Sequence, residues 1–292
     1  MSRHASHVQL RWSDVDSLGH VNNVVFLRFL QEARVDMLFV DAAERGTADL
    51  ARGVVVHRHE IDYRAPLNVR PEPDRPQTVA VETWVTRVGA ASFELGYEVV
   101  DTSAGGGTVC AVASSALVPY DLAAQRPRRI SPGERAVLDT FLDSGPAPGH
   151  RAATSWPAAG GVHPVHCAVR FDDLDSYGHV NNVMIAEYLQ QARIDLTHRY
   201  LADARDGQEQ AVVAHQAIDY LRPIPFRTDP VLVELRVTRI GTSSFDVAYQ
   251  VRDEAAVYAR AATVLVSFDL ATNRPRPLTE GERLALKGLL DI

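Results

Sequence analysis

Apolar residues along this chain follow two rhythms, and each rhythm occurs twice. Phe26, Phe29, Leu30, Ala33 and Met37 recur at spacings of three and four, which predicts a helix capped by Asn22 or Asn23. Ile185, Tyr188, Leu189, Ala192 and Leu196 repeat that pattern after Asn181. Val231, Val233, Leu235 and Val237 alternate with Leu232, Glu234, Arg236 and Thr238, the period of a strand with one face buried. Further strands are expected around Phe245–Val251 and Val257–Phe268, with counterparts near Phe93–Val100 and Val109–Val118. Short strands at His7–Trp12 and His166–Phe171 precede the two long helices, and short helices at Pro132–Leu142 and Thr279–Leu290 close each half. One helix followed by a meander of long strands implies an antiparallel sheet wrapped on that helix, an α+β layout. The alternating strand–helix units that a parallel sheet requires are absent.

The two halves are copies. Asp14-Val-Asp-Ser-Leu-Gly-His-Val-Asn-Asn-Val24 returns as Asp173-Leu-Asp-Ser-Tyr-Gly-His-Val-Asn-Asn-Val183. Gln31-Glu-Ala-Arg-Val-Asp36 returns as Gln190-Gln-Ala-Arg-Ile-Asp195, and Ile61-Asp-Tyr63 as Ile218-Asp-Tyr220, each with a proline soon after (Pro66, Pro223). Thr86-Arg-Val-Gly89 with Ser92-Phe93 matches Thr238-Arg-Ile-Gly241 with Ser244-Phe245. Arg126-Pro-Arg128 and Gly-Glu-Arg135 match Arg274-Pro-Arg276 and Gly-Glu-Arg283. Preserved block order over this length means duplication of a whole domain. The Gly-, Pro-, Ala- and Ser-rich segment between the copies reads as a surface linker, so the expected division is 1–143, linker 144–162, and 163–292.

Composition narrows the possible functions. The net charge of −7 argues against a general nucleic-acid binder, which needs a basic field to attract phosphates, while leaving room for a small anion held by local arginines. Cys110 and Cys167 lie far apart with no metal-ligand spacing and read as unpaired thiols of a reducing compartment. No apolar segment resembles a signal peptide or reaches membrane-spanning length, so a cytoplasmic protein is expected.

Chemistry is expected at the repeated turn. It leads from a short strand through an acidic, glycine-containing loop into a helix whose first N–H groups have no intrahelical partner and carry partial positive charge. Such a terminus can stabilise an oxyanion, and one donor of this kind contributes roughly 3–4 kcal/mol. A carboxylate beside it, Asp16 or Asp175, suits attack on a carbonyl, directly or through water.

These turns, with the E/Q-A-R of the helix, the I-D-Y…P strand and the R-x-G-x-x-S-F block, resemble the hotdog-fold thioesterases, in particular the 4-hydroxybenzoyl-CoA thioesterase-like branch. The H-V-N-N segment also resembles acyl-ACP thioesterases. The resemblance covers nearly all of both copies and implies two tandem hotdog domains, each an antiparallel sheet wrapped around a long central helix. It implies hydrolysis of an acyl thioester, most directly acyl-CoA, with an aspartate at the position of Asp16 and Asp175 as nucleophile or general base. The backbone N–H that polarises the carbonyl falls on Asn23 and Asn182. No metal or redox cofactor is implied. Hotdog units usually pair with sites at their junction, so an intrachain pseudo-dimer, with or without further homo-oligomerisation, is expected.

Two departures stand out. The acyl-ACP enzymes carry asparagine two residues after the aspartate, where this chain has Leu18 and Tyr177. Glu32, a candidate catalytic carboxylate on the helix, is matched by Gln191.

Each candidate also has a structural reading. Asp16 and Asp175 can cap their own loops; His20 and His179 either orient the reacting groups or tie the loop down. Asn22 and Asn181 read as caps near the substrate, and Gly19 and Gly178 as residues supplying a backbone angle or close approach. Asp14 and Asp173 read as solvated loop residues, and Arg34 and Arg193 as partners in structural ion pairs. Ser92 and Ser244 can line a thioester channel or simply form turns. Arg87, Arg239 and the Arg126–Arg129 and Arg274–Arg276 clusters can meet phosphates of coenzyme A or lie in solvent. The rival functions are an acyl-ACP thioesterase, a hotdog hydratase or dehydratase, and a non-catalytic acyl-CoA-binding module.

Overall fold

The computed structural model describes residues 3–17, 19–41, 50, 53–69, 76–103, 107–148, 154–204, 209–269, 271–272 and 274–290. Leu18, Leu270 and residues 149–153 of the expected linker lie outside the described residues. The chain forms two compact units, residues 1–151 and 152–292, and the division falls within the expected linker.

The first unit contains β1 (His4–Gln9), a central helix α1 (Asn23–Val35), β2 (Val54–Tyr63), β3 (Thr78–Val88), β4 (Phe93–Asp101), β5 (Thr108–Asp121), β6 (Arg126–Pro127) and α2 (Pro132–Thr140). Its sheet runs β1-β3-β4-β5-β2, antiparallel throughout, with the two-residue β6 folded back on β5. The second unit contains β7 (His163–Cys167), α3 (Asn182–Tyr200), β8 (Glu209–Tyr220), β9 (Val231–Ile240), β10 (Ser244–Arg252), β11 (Val257–Asp269), β12 (Arg274–Pro275) and α4 (Glu280–Leu290). Its sheet runs β7-β9-β10-β11-β8, again antiparallel, with β12 on β11. Each unit is a hotdog: a long helix with an antiparallel sheet curved around it.

Burial explains this arrangement. Val24, Val25, Phe26, Leu27, Phe29, Leu30 and Ala33 are all buried, so α1 is apolar around much of its first turns, as a helix enclosed by a sheet must be. It packs against β1, β3 and β4. The register shifts between Val85 and Arg87, and between Asp246 and Val247, each add a bulge that increases local bend in strands wrapping a helix. The first strands start three residues earlier than the pattern suggested. Trp12–Asp14 and Phe171–Asp173, expected within or just after strands, form 3-10 turns instead. The two long helices also differ in length: α1 passes into a π-helical turn, Asp36–Asp41, whereas α3 continues unbroken to Tyr200.

The R-x-G-x-x-S-F blocks are the β3–β4 and β9–β10 hairpins. Gly89 donates its N–H to the Ser92 carbonyl, and Gly241 to that of Ser244, both at 2.7 Å. The terminal helices hold these tips: Arg135 donates to the Gly89 carbonyl, and Arg283 to that of Thr242. Arg128 and Arg276 form two-pronged pairs with the fully buried Glu134 and Glu282, which accept the N–H groups of Ser131 and Thr279. The repeated Arg-Pro-Arg and Gly-Glu-Arg blocks thus form one fastening in each unit. Two described residues of the segment between the copies are held by side chains of the second unit. Thr154 donates from its hydroxyl and N–H to Asp219, and Arg236 stacks over the Trp156 ring at 4.9 Å.

Candidate active site

In each unit the turn is built before any side chain acts. Val15 bridges Val21, and Leu174 bridges Val180, closing the loop at its base. Within it, Asp16 N–H donates to the His20 carbonyl at 2.9 Å and Gly19 N–H to the Asp16 carbonyl at 3.1 Å. The second unit repeats both bonds at 2.8 and 3.0 Å, between Asp175 and His179 and between Gly178 and Asp175. Gly19 and Gly178 have φ of +78° and +76°, while a Cβ at either would meet nothing within 4 Å. Of the two reasons expected for these glycines, backbone angle is the operative one and close approach is not.

The helix start is fixed from three directions. The side chain of Asn22 accepts Val24 N–H at 2.9 Å, and Asn181 accepts Val183 N–H at the same distance, so both asparagines are N-caps. Asn22 N–H donates to the Asp14 carbonyl and Asn181 N–H to that of Asp173, tying each cap to the 3-10 turn before the loop. Tyr63 donates its hydroxyl to the Asn23 carbonyl at 2.8 Å, and Tyr220 to that of Asn182 at 3.1 Å. The tyrosine of each I-D-Y strand therefore clamps the residue whose N–H belongs to the first turn. This role was missed at the sequence level, although the repetition of I-D-Y alongside the turn was its trace.

Asp16 and Asp175 sit half-buried in the loop directly before this helix start. In the second unit, Oδ1 of Asp175 accepts Tyr177 N–H at 2.8 Å and His179 N–H at 3.3 Å. The aspartate thus does cap its own loop, and that bonding aims the carboxylate rather than consuming it, because a carboxylate has about four acceptor positions. His20 and His179 are tied through their backbones: His20 bridges Asn68 and His179 bridges Pro225, beside the bonds from Val21 N–H to the Leu67 carbonyl and from Val180 N–H to that of Ile224.

Asp14 and Asp173 are not solvated loop residues. They are 6% and 3% exposed, and their carboxylates accept the N–H groups of Arg11 and Arg170 at 2.7 and 2.8 Å. The 3-10 turn folds the side chain inward under the loop, which a linear reading of an acidic, glycine-containing segment does not reveal. Tyr188 donates its hydroxyl to Asp173 at 2.6 Å.

Other candidates lie away from the helix start or are already paired. Glu32 is exposed, nine residues beyond Asn23 on α1, so about 13 Å along the axis at 1.5 Å per residue. Arg87 pairs across its hairpin with Glu94 at 3.5 Å, and Arg239 with Asp246 at 2.8 Å. The Asp246 hydrogen bond raises the Arg239 pKa further. Ser92 and Ser244 close hairpin turns, as above. Arg34 and Arg193 are buried on the long helices at 8% and 7% exposure. Both cysteines are free and buried; burial pushes the Cys167 thiol up to about 11.

A tandem pair of hotdog units, each with an acidic turn feeding a capped helix, defines the class. The sequence model of the thioesterase-like superfamily matches residues 10–140 and 169–285, and the chain belongs to that superfamily. It is 28% identical over 116 residues to the 1,4-dihydroxy-2-naphthoyl-CoA hydrolase of Nostoc punctiforme, covering 38% of this chain and 78% of that protein. It is 31% identical over 83 residues to the Bacillus subtilis protein YsmA, covering 28% of this chain and 55% of the length of that relative. A Lactobacillus plantarum structure assigned as an oleoyl thioesterase shares the fold with a TM-score of 0.73, at 14% identity, over 91% of this chain and 96% of that one. No described helix is long and apolar enough to cross a membrane.

Proposed function

We propose that the chain hydrolyses acyl thioesters, with acyl-CoA as its substrate class and one reacting centre at the turn of each unit. The observation that carries this reading is the placement of Asp16 and Asp175 in a glycine-shaped loop whose base is bonded to the cap of the following helix. Superfamily membership supports thioester chemistry, and the name of the Nostoc relative supports coenzyme A as carrier.

In this reading the thioester carbonyl oxygen faces the first-turn N–H groups, with that of Asn23 or Asn182 as the principal donor. The aspartate acts as general base or nucleophile. As base, it takes a proton from water while the water oxygen bonds to the carbonyl carbon. The tetrahedral oxyanion is stabilised at the helix start. Its collapse breaks the carbon–sulfur bond, and the thiolate receives the proton. The products are a free acid and a thiol.

The test is thiol release from an acyl-CoA panel by the parent chain and by the Asp16→Asn, Asp175→Asn double variant. The double variant is expected to lose at least about a hundredfold in kcat, the usual contribution of a positioned acid or base, with its circular dichroism unchanged. Parent-rate turnover by the folded double variant would sink the mechanism. Acyl-CoA recovered intact after incubation with the parent chain would point instead to a binding module, and faster turnover of matched acyl-ACP would reassign the carrier.

A further inference from the structure

The two turns are tethered to their helices differently. In the second unit, the buried carboxylate of Asp173 accepts Arg170 N–H at 2.8 Å and the Tyr188 hydroxyl at 2.6 Å. The Asp173 carbonyl accepts the N–H of Asn181, the cap of the helix that carries Tyr188. Helix, cap and turn thereby form a closed ring of hydrogen bonds, with Asp175 two residues beyond Asp173. Burial and the bond to Asp173 both raise the Tyr188 pKa, so the hydroxyl remains a donor throughout the neutral range. In the first unit, Asp14 makes the corresponding backbone contacts, with Arg11 N–H at 2.7 Å and with Asn22 N–H at 2.8 Å. The helix position equivalent to Tyr188 is Phe29, also buried, whose ring has no hydroxyl to donate.

We infer that Tyr188 is a positioning residue for the second centre, and that the two centres are unequal because Phe29 takes its place in the first. This inference rests on the proposed function. A reacting carboxylate must be held to within about half an ångström, and a misplacement of about 1 Å can cost a hundredfold in rate. A turn whose buried carboxylate also accepts a hydroxyl from the helix is held more tightly than one whose equivalent helix position, Phe29, offers no hydroxyl. The second centre is therefore the faster.

The experiment isolates each centre in the full chain. With Asp16→Asn, turnover reports the second centre, and adding Tyr188→Phe is expected to lower kcat per folded molecule about tenfold while KM stays within about twofold. The folded fraction is taken from circular dichroism. With Asp175→Asn, turnover reports the first centre, and adding Phe29→Tyr is expected to raise its kcat severalfold, a gain that a merely structural part would not produce. Unchanged kcat in both arms overturns the role of Tyr188. If Tyr188→Phe prevents folding, the Phe29→Tyr arm decides alone. Parent-rate turnover by the Asp16→Asn, Asp175→Asn double variant fails the proposed function itself, and is read separately from either tyrosine arm.

Discussion

Tyr63 on β2 donates its hydroxyl to the backbone carbonyl of Asn23, the first residue of α1, across forty positions of sequence. Tyr220 makes the same bond to Asn182. A strand residue thus sets the position of the helix start at which the proposed oxyanion forms. Removing both hydroxyls (Tyr63→Phe with Tyr220→Phe) is expected to lower kcat severalfold with little change in KM. Each lost bond should cost about 0.5–1.5 kcal/mol of stability. Steady-state kinetics beside urea denaturation checks both.

Gly19 and Gly178 adopt left-handed backbone with open space where a Cβ would stand. Gly178→Ala is expected to destabilise the chain by about 1–2 kcal/mol through conformation alone and to depress turnover by distorting the loop around Asp175. Gly178→Asn should be milder, because Asn tolerates this region better than Ala. Equal denaturation midpoints for the two variants would contradict this account.

Gly96 lies flat against the buried indole of Trp84: a Cβ there would sit 2.6 Å from the ring, while Arg3 stacks over that ring at 4.2 Å. Gly96→Ala is expected to cost about 1–3 kcal/mol by overpacking, with little effect on KM. Thermal unfolding followed by near-ultraviolet circular dichroism reads the change at the indole directly.

Burial alone would push the Glu134 carboxyl up, but the two-pronged bond from Arg128, with the N–H of Ser131, outweighs it and holds the group below its ordinary value of 4.5. A depressed folded-state pKa contributes stability that is fully present above the ordinary value and lost as pH falls through the folded one. The parent chain should therefore lose stability as pH drops below about 4.5, and Glu134→Gln should be less stable at neutral pH with a flatter acid limb. Denaturation midpoints across pH 3–7 measure the difference.

Much of this molecule was legible along the chain because the relevant physics is local. Helical spacing placed the two long helices, alternation placed β9, and the Asn-Asn doublets marked caps that the structure confirms at Val24 and Val183. Internal repetition established two domains of one kind. By contrast, strand starts were misplaced by three residues, because the turns at Trp12–Asp14 and Phe171–Asp173 carry no distinctive local pattern.

Tertiary structure alone decided which polar groups meet. Asp14 and Asp173 became buried anchors rather than solvated acids, because the 3-10 turn folds them beneath the loop. Arg87 met Glu94, and Arg128 met Glu134, through hairpin register and helix docking. Residues repeated in both halves, such as Tyr63 and Tyr220, could be noticed in the sequence, but their partners could not. A cap is satisfied within a few residues of itself, whereas the bond from Tyr63 to Asn23 exists only once a sheet has closed around its helix.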